Sequence, residues 1–292
     1  MASVTTPEKT DQALACYRHP NVETAVTCSN CGRPICTECM VFAAVGIKCP
    51  ECAGQSAGVR RTATRVRTRA GERGTNTVTK VLIGINVAVF LLQLSQADGF
   101  STVSGTMFDR FAVQGTAIAD GEWWRLLTGA FLHASVIHIG FNMLMLWWFG
   151  QALEALLGPV RFLGIYLVSA LAGSAGALLL VSPSAQTVGA SGAVFGILGA
   201  GVMLERNNIM VFGGSAFLIV AFNLAFTFLI AGISIGGHLG GLIGGVLAIL
   251  AITGFGRRHA VYGRLDALSV LSLVGIAAAS FAVAYMRVRG YA

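Results

Sequence analysis

The sequence predicts an all-α, polytopic membrane protein that carries a small polar module at its N-terminus. The first observation is composition: of 292 residues, 55% are hydrophobic and only 11% are charged, and the mean hydropathy is +0.72. Soluble domains contain about 25% charged residues, so this composition excludes an average soluble enzyme as well as a disordered or collagen-like chain. The second observation is distribution. Residues 1–77 contain 10 Lys/Arg and 6 Asp/Glu, whereas the 215 residues that follow contain only 10 and 7.

The net charge of +7 is divided between these two parts, with +4 in the head and +3 in the body. An even division of this kind does not indicate a nucleic-acid partner. We interpret the basic residues as signals of membrane topology instead.

Seven stretches of the body are apolar over about the 20 residues that a helix needs to cross a bilayer. They are residues 80–96, 136–157, 162–182, 187–204, 209–230, 233–253 and 267–286. The long connection at 97–132 contains both charged and aromatic side chains, so we expect it to lie at the water–lipid interface.

The basic residues near the spans predict their orientation. With the N-terminus in the cytoplasm, 12 of them lie on the inside and 4 on the outside, as the positive-inside rule favours. We therefore expect a multi-pass protein of the cell membrane, with an outer C-terminus if the seventh span is real. Residues 1–30 contain no apolar core of a secretory signal, so the first span is expected to serve as an uncleaved insertion signal.

All seven cysteines lie in the head, where with one histidine they form four pairs, each separated by two residues. Such pairs supply the ligands of tetrahedral zinc sites, and eight ligands fill two structural sites. A disulfide-linked head is less favoured, because seven is odd and the cytosol is reducing. The predicted ligands are Cys16, His19, Cys28, Cys31, Cys36, Cys39, Cys49 and Cys52.

This order of ligands, over about 37 residues, resembles that of B-box-type zinc fingers. A RING-like ligase head is the alternative, and its disadvantage is that the loops are short. The resemblance implies a cross-braced pairing. One zinc would be held by Cys16, His19, Cys36 and Cys39, and the other by Cys28, Cys31, Cys49 and Cys52.

The head and the segment after it have different expected roles. We expect residues 1–55 to form a double zinc finger that is structural or binds a cytoplasmic protein partner. Residues 56–77 are rich in Gly, Thr and Arg, which is typical of a flexible, basic linker. Their arginines would also suit the anionic lipids of the inner leaflet.

Polar groups inside spans are costly, so each one calls for a reason. Ser191 stands among small residues (Gly189, Ala190 and Gly192), where a substrate backbone can come close and free N–H groups of a helix start can stabilise an oxyanion. His238 lies in a span with two interleaved GxxxG series, which predict close helix packing. Contact between these spans would make Ser191 a nucleophile and His238 its general base. No acidic residue is placed in the spans to orient His238, so we expect a dyad.

Two further polar residues share one face of the second span. His138 and Asn142 are four residues apart, and both side chains can donate hydrogen bonds to an oxyanion. Hydrogen bonding between helices is the alternative interpretation, and for this segment alone it would be the better one.

Together these residues resemble the rhomboid family of intramembrane serine proteases, over residues 78–253. The resemblance implies a six-helix core in which Ser191 is the nucleophile and His238 the general base. It also implies that the backbone at Ser191, with His138 and Asn142, binds the oxyanion. The matching elements are Trp124-Arg125; His133, His138 and Asn142; Gly189, Ser191 and Gly192; and His238, Gly241 and Gly245.

The resemblance also assigns supporting residues. His133, Trp124 and Arg125 match structural residues of the interfacial loop. Phe195 stands where many members have a tyrosine that stacks on the catalytic histidine. Because the ring is kept and only a hydroxyl is lost, we expect activity to survive.

The sequence therefore predicts an endopeptidase that cleaves transmembrane proteins in or near their membrane segment, without a catalytic cofactor. Residues 254–292 would add a cytoplasmic loop and a seventh transmembrane helix to the core. One alternative is a proteolytically inactive rhomboid-like protein that binds membrane clients, but such a protein would be expected to lack the serine or the histidine. A transporter with a regulatory zinc head is less favoured, because the sequence contains no internal repeat.

Overall fold

A computed structural model describes residues 14–42, 46–53, 76–97, 103, 105–254 and 267–291. The chain divides into two compact units, Met1–Glu72 and Arg73–Ala292. Most of the predicted linker and nearly all of the predicted cytoplasmic loop after residue 253 lie outside the described residues. The predicted domain boundaries stay predictions.

Short strands and turns make up the N-terminal unit. Strand β1 (Leu14–Ala15) pairs antiparallel with β2 (Glu23–Thr24), and β3 (Val41–Phe42) pairs antiparallel with β4 (Ile47–Lys48). The interior consists of Ile35, which is fully buried, and five buried cysteines. A core this small does not stabilise a fold without cross-links or metal ions.

Ten α-helices lie in the described part of the second unit. A 3-10 turn (Gly129–Phe131) follows the fourth of them, and the fifth contains a π-helical turn at Leu146–Gly150. The helices are α1 (Thr77–Leu94), α2 (Thr106–Phe111), α3 (Gly115–Ala119), α4 (Arg125–Thr128), α5 (Val136–Leu157), α6 (Pro159–Leu180), α7 (Ser191–Arg206), α8 (Ala216–Leu229), α9 (Ile235–Ile252) and α10 (Ala267–Val288).

Each of the seven predicted spans overlaps one of the long helices. Five of these (α1, α5, α6, α9 and α10) are long and apolar enough to cross a membrane. The prediction of an all-helical, polytopic membrane protein is therefore confirmed. The other two helices are shorter than predicted, with 16 residues in α7 and 14 in α8.

The start of α7 corrects the predicted fourth span, which began at residue 187. Thr187 instead forms an extended bridge with Val113, and Gly189 has a φ of +127° that no helix accommodates. As a result, Ser191 is the first residue of its helix, whereas the sequence suggested a position about one turn inside the span.

The start of α8 likewise corrects the predicted fifth span, which began at residue 209. The carboxylate of Glu205 accepts hydrogen bonds from the backbone N–H groups of Phe212, Gly214 and Ala216. These bonds hold residues 207–215 in turns, so the helix begins only at Ala216.

One glycine series of α9 packs against α6, which has the largest buried share of the five candidate membrane spans. A Cβ atom added at Gly236 would lie 2.2 Å from the carbonyl oxygen of Gly176, and one at Gly240 would lie 2.4 Å from that of Ala172. The two helices therefore touch through their backbones, which only glycine allows at these positions.

The other glycine series of α9 packs against α7. A Cβ atom at Gly241 would lie 2.0 Å from the carbonyl oxygen of Gly192, and one at Gly245 would lie 2.0 Å from that of Gly196. Helix α9 is thus wedged between α6 and α7, with one small-residue face for each neighbour. The closely packed contact between the fourth and sixth spans that the sequence predicted is present.

The interfacial connection folds into α2, α3 and α4 and rests on the seventh long helix. The ring of Trp123 lies 6.4 Å from the rings of Phe281 and Tyr285 on α10. Near the end of the chain, Arg287 donates a hydrogen bond from Nε to the carbonyl oxygen of Leu178 on α6, at 3.0 Å. Helix α10 is therefore packed against both the connection and the core.

Candidate active site

Ser191 stands at the start of α7, where the first N–H groups of the helix have no carbonyl partner in the preceding turn. The chain that leads into Ser191 needs glycine at position 189. A Cβ atom at Gly189 would lie 2.8 Å from Nε2 of His138 and 3.6 Å from Oγ of Ser191, and the φ of +127° disfavours any other residue. The imidazole of His138 and the hydroxyl of Ser191 thus flank the same small space.

His238 lies in the first turn of α9, and its side chain is 8% exposed. Its ring stacks on Phe195, with centroids 4.1 Å apart and planes inclined by 20°. Its Nδ1 atom lies 2.6 Å from Oγ1 of Thr227 on α8. Two neighbouring helices therefore hold the imidazole, one by stacking and one by a hydrogen bond.

Backbone contacts bring the segments that carry Ser191 and His238 together. Gly192, which follows Ser191, lies against Gly241, and its own added Cβ would stand 3.3 Å from the carbonyl oxygen of Gly237. Since Gly237 and Gly241 lie on either side of His238 along α9, the histidine belongs to the turn that touches the start of α7. Gly245 extends the same contact by one turn.

His138 and Asn142 both lie on α5, as the sequence predicted, and they interact with each other. Asn142 donates a hydrogen bond from Nδ2 to the carbonyl oxygen of His138 at 3.0 Å. The Nδ1 atom of His138 faces the backbone N–H of Ala134 at 3.4 Å, which leaves Nε2 directed toward Gly189. The contact at Nδ1 favours a proton on Nε2, so this atom is a hydrogen-bond donor.

His133 lies behind His138, with the two ring centroids 5.1 Å apart. It is fully buried, and its backbone is clamped by the side chain of Gln93, which donates to the carbonyl oxygen of His133 and accepts from its N–H. This position suits the structural role that the resemblance implies.

Trp124 and Arg125 lie in the interfacial connection. Arg125 is buried and forms an ion pair with Glu122 at 2.6 Å. It also donates hydrogen bonds from Nη1 to the carbonyl oxygens of Asp109 and Ala112, at 2.7 and 2.9 Å. Arg125 thereby ties α2 to α4, while the Trp124 side chain is half exposed.

Two clusters of metal-ligating side chains lie in the head. In each, the four ligand atoms lie within 4.8 Å of one another, and the members are those of the predicted cross-braced pairing. In the first cluster, Nδ1 of His19 lies 3.2 Å from Sγ of Cys36 and 3.5 Å from Sγ of Cys39. The clusters consist of Cys16, His19, Cys36 and Cys39, and of Cys28, Cys31, Cys49 and Cys52.

The surroundings of these thiols shift their pKa values. Burial raises the pKa of Cys16 and of Cys28, but several backbone hydrogen bonds outweigh burial and lower both values to about 6. A lowered pKa favours the thiolate, which is the form that binds metal ions. Burial instead raises the pKa of Cys39 and of Cys49, so the fit to a metal site rests on the donor sets and the closeness of their ligand atoms.

Sequence reasoning missed two polar contacts, one at the site and one at the start of α1. Thr227 contacts His238, and among the described residues no acidic side chain does so. The sequence signal for it was a threonine four residues after Asn223 in an apolar span. Glu154 on α5 accepts hydrogen bonds from the backbone N–H groups of Val78 and Thr79, which caps α1. Its signal was an acidic residue near the end of a predicted span.

The fold and site define a class: a polytopic helical membrane protein with a serine and a histidine on adjoining, glycine-packed helices. Comparison with known proteins identifies the family. The family model described as "Rhomboid domain" matches residues 120–255. Rhomboid protease GluP of Bacillus subtilis is 39% identical over 210 residues, which are 70% of this chain and 40% of that protein.

Two other relatives extend the comparison. YdcA, a rhomboid homologue of Bacillus subtilis, is 37% identical over 147 residues, 49% of this chain and 74% of that protein. The mitochondrial Rhomboid protein 1 of Saccharomyces cerevisiae is 37% identical over 190 residues, 57% of this chain and 50% of that protein. The chain belongs to the rhomboid family, as the sequence motifs predicted. It spans less than half the length of GluP and half that of the yeast protein.

Proposed function

We propose that this protein is a serine-type intramembrane endopeptidase that uses Ser191 and His238. Oγ of Ser191 attacks the scissile carbonyl carbon while Nε2 of His238 takes the hydroxyl proton. The tetrahedral intermediate then expels the amine, which receives that proton, and water hydrolyses the acyl-enzyme in a second, equivalent step. The observation that carries this proposal is the backbone contact of Gly192 with Gly241, which joins the two segments.

An oxyanion hole lies beside the proposed nucleophile. Its donors would be the backbone N–H of Ser191, Nε2–H of His138 and the second amide hydrogen of Asn142. The support is that Nε2 of His138 and Oγ of Ser191 border the same space at Gly189, and that Asn142 uses only one hydrogen for the carbonyl of His138. Phe195 and Gly189 shape this space, and Gly241 and Gly245 keep α9 against α7.

The substrates we propose are transmembrane proteins, cleaved in or near their membrane segment. A nucleophile carried by a membrane-embedded helix meets peptide bonds that lie in the bilayer or enter it from the interface. With a cytoplasmic N-terminus and an outer C-terminus, the site opens toward the outer side. Fusions of a reporter that is active on one side only, placed after residue 292, would test this orientation.

Single substitutions test the protease directly. In proteoliposomes with a fluorescent transmembrane reporter, Ser191→Ala and His238→Ala should abolish cleavage and labelling of the protein by a fluorophosphonate probe. Ser280→Ala is the matched control, since this buried serine donates to the carbonyl oxygen of Ile276 on its own helix, far from Ser191 along the chain. A wild-type protein that neither cleaves nor reacts at Ser191 would favour a rhomboid-like protein that binds clients without cleaving them.

We also propose that each cluster of the head holds one structural zinc ion. Three thiolates with an imidazole, and four thiolates, are donor sets that zinc prefers, and the tetrahedral arrangement leaves no position for catalysis. The ions would stabilise a head that binds a cytoplasmic protein partner. Elemental analysis of the purified chain should give two zinc ions per chain, and Cys28→Ser with Cys49→Ser should give one. A head that keeps protease resistance after complete chelation would contradict the proposal.

A further inference from the structure

Helix α8 presents a narrow polar face to the protein and a broad apolar face outward. Asn223 and Thr227 are buried, whereas the aromatic side chains of Phe222 and Phe228 are exposed. The position of α8 is set at its first residue, where Glu205 accepts a hydrogen bond from the N–H of Ala216. Thr227 is therefore held close to His238 by the packing of its helix.

The hydroxyl of Thr227 has one hydrogen to donate and two contacts to satisfy. Its Oγ1 lies 2.9 Å from the carbonyl oxygen of Asn223, which can only accept, and 2.6 Å from Nδ1 of His238. Both contacts can be hydrogen bonds in only one arrangement of the protons, in which the hydroxyl donates to the carbonyl oxygen of Asn223 and Nδ1–H of His238 donates to the hydroxyl. The reverse arrangement makes only one of these two hydrogen bonds, so the first is favoured by one buried hydrogen bond.

This arrangement determines which nitrogen of His238 carries the proton. In a neutral imidazole, a proton on Nδ1 leaves a lone pair on Nε2, and only a lone pair can accept the proton of a serine hydroxyl. The stacked ring of Phe195 fixes the plane of the imidazole. The contact at Nδ1 then fixes the direction in which Nε2 points within that plane.

We propose that Thr227 is a positioning residue that holds His238 in the tautomer and orientation of a general base. It takes the place that an acidic side chain occupies in a Ser-His-Asp triad, but as a neutral acceptor. The inference rests on the proposed protease function. It adds a positioning residue, Thr227, to the expected dyad, and only Ser191 and His238 meet the substrate.

The test compares the valine and serine variants of Thr227. Thr227→Val keeps the shape and removes the hydroxyl, so kcat on the transmembrane reporter should fall about tenfold or more while KM is unchanged. Thr227→Ser keeps the hydroxyl and should restore kcat to within about twofold of the wild type. Thr253→Val is the matched control, since that buried hydroxyl also bonds the carbonyl oxygen four residues earlier, at 2.8 Å, but lies at the end of α9.

A spectroscopic measurement separates this inference from the protease proposal. The 15N chemical shifts of His238, assigned by comparison with His238→Ala, should show a proton on Nδ1 in the wild type and loss of that preference in Thr227→Val. An Nε2–H tautomer in the wild type would overturn the inference, as would full activity of Thr227→Val, equal loss in Thr253→Val or no rescue by serine. If the wild type neither cleaves nor reacts with the fluorophosphonate probe, the protease proposal fails, and the chemical shifts still decide the role of Thr227.

Discussion

Replacing Gly241 by alanine should separate the two helices that carry Ser191 and His238. The added Cβ atom would lie 2.0 Å from the carbonyl oxygen of Gly192 and 2.5 Å from its carbonyl carbon. Cβ atoms in proteins essentially never come within 3.0 Å of another heavy atom, so α9 must move away from α7 by about 1 Å. Both contacting groups are backbone, and no side chain can rotate to relieve the overlap.

The consequences can be measured in rate and in stability. A misplacement of about 1 Å costs about 100-fold in rate, and overpacking costs about 1–3 kcal/mol of folding free energy. In proteoliposomes, cleavage of the transmembrane reporter by Gly241→Ala should fall by that factor, and the midpoint of thermal unfolding should fall as well.

Gly275→Ala provides the control for this experiment. An added Cβ there meets no atom within 4 Å, and replacing glycine within a helix stabilises it by about 0.5–1 kcal/mol. The reasoning is refuted if the Gly241 and Gly275 variants cleave the reporter at equal rates and unfold at equal temperatures.

Substitutions at three further positions test other parts of the protein. Gly189→Ala should abolish single-turnover cleavage, because its Cβ would lie 2.8 Å from Nε2 of His138 at a φ of +127°; a wild-type rate would contradict the geometry. Phe195→Tyr should keep its cleavage rate and Phe195→Ala should lose it, because the ring stacks at 4.1 Å on the proposed base, and equal rates for the two would remove that role. Glu154→Gln should lower the free energy of unfolding by about 1–3 kcal/mol, since the carboxylate accepts bonds from both the N–H and the hydroxyl of Thr79; unchanged chemical denaturation would show that the cap is dispensable.

Several features of the fold followed from local patterns in the sequence. Long apolar stretches predicted all seven long helices, because no backbone can cross a bilayer with unpaired polar groups. The two GxxxG series predicted a closely packed helix around His238, since only glycine lets helix backbones touch. The four closely spaced pairs of head ligands predicted two metal sites, and the resemblance to B-box-type zinc fingers predicted the members of each cluster, which the structure brings together.

Helix boundaries were harder to predict. Hydropathy does not distinguish an apolar helix from an apolar turn, so residues 187–190 were assigned to a span although they precede the helix, with Thr187 in an extended bridge. The same is true of the segment before Ala216, whose turns depend on hydrogen bonds to Glu205. Both boundaries are set by contacts with residues from other parts of the chain.

The sequence by itself determined the helical membrane architecture, the rhomboid family and the residues that could carry chemistry. Hydropathy and the spacing of residue types are properties of short segments, so they can be read from the sequence without knowledge of the tertiary structure. Only the tertiary structure decided that α9 meets α6 with one glycine face and α7 with the other, and that Thr227 reaches Nδ1 of His238. That last contact joins two helices through a single hydroxyl. Its existence depends on the rotation of each helix about its own axis, which packing against neighbours sets and no local pattern records.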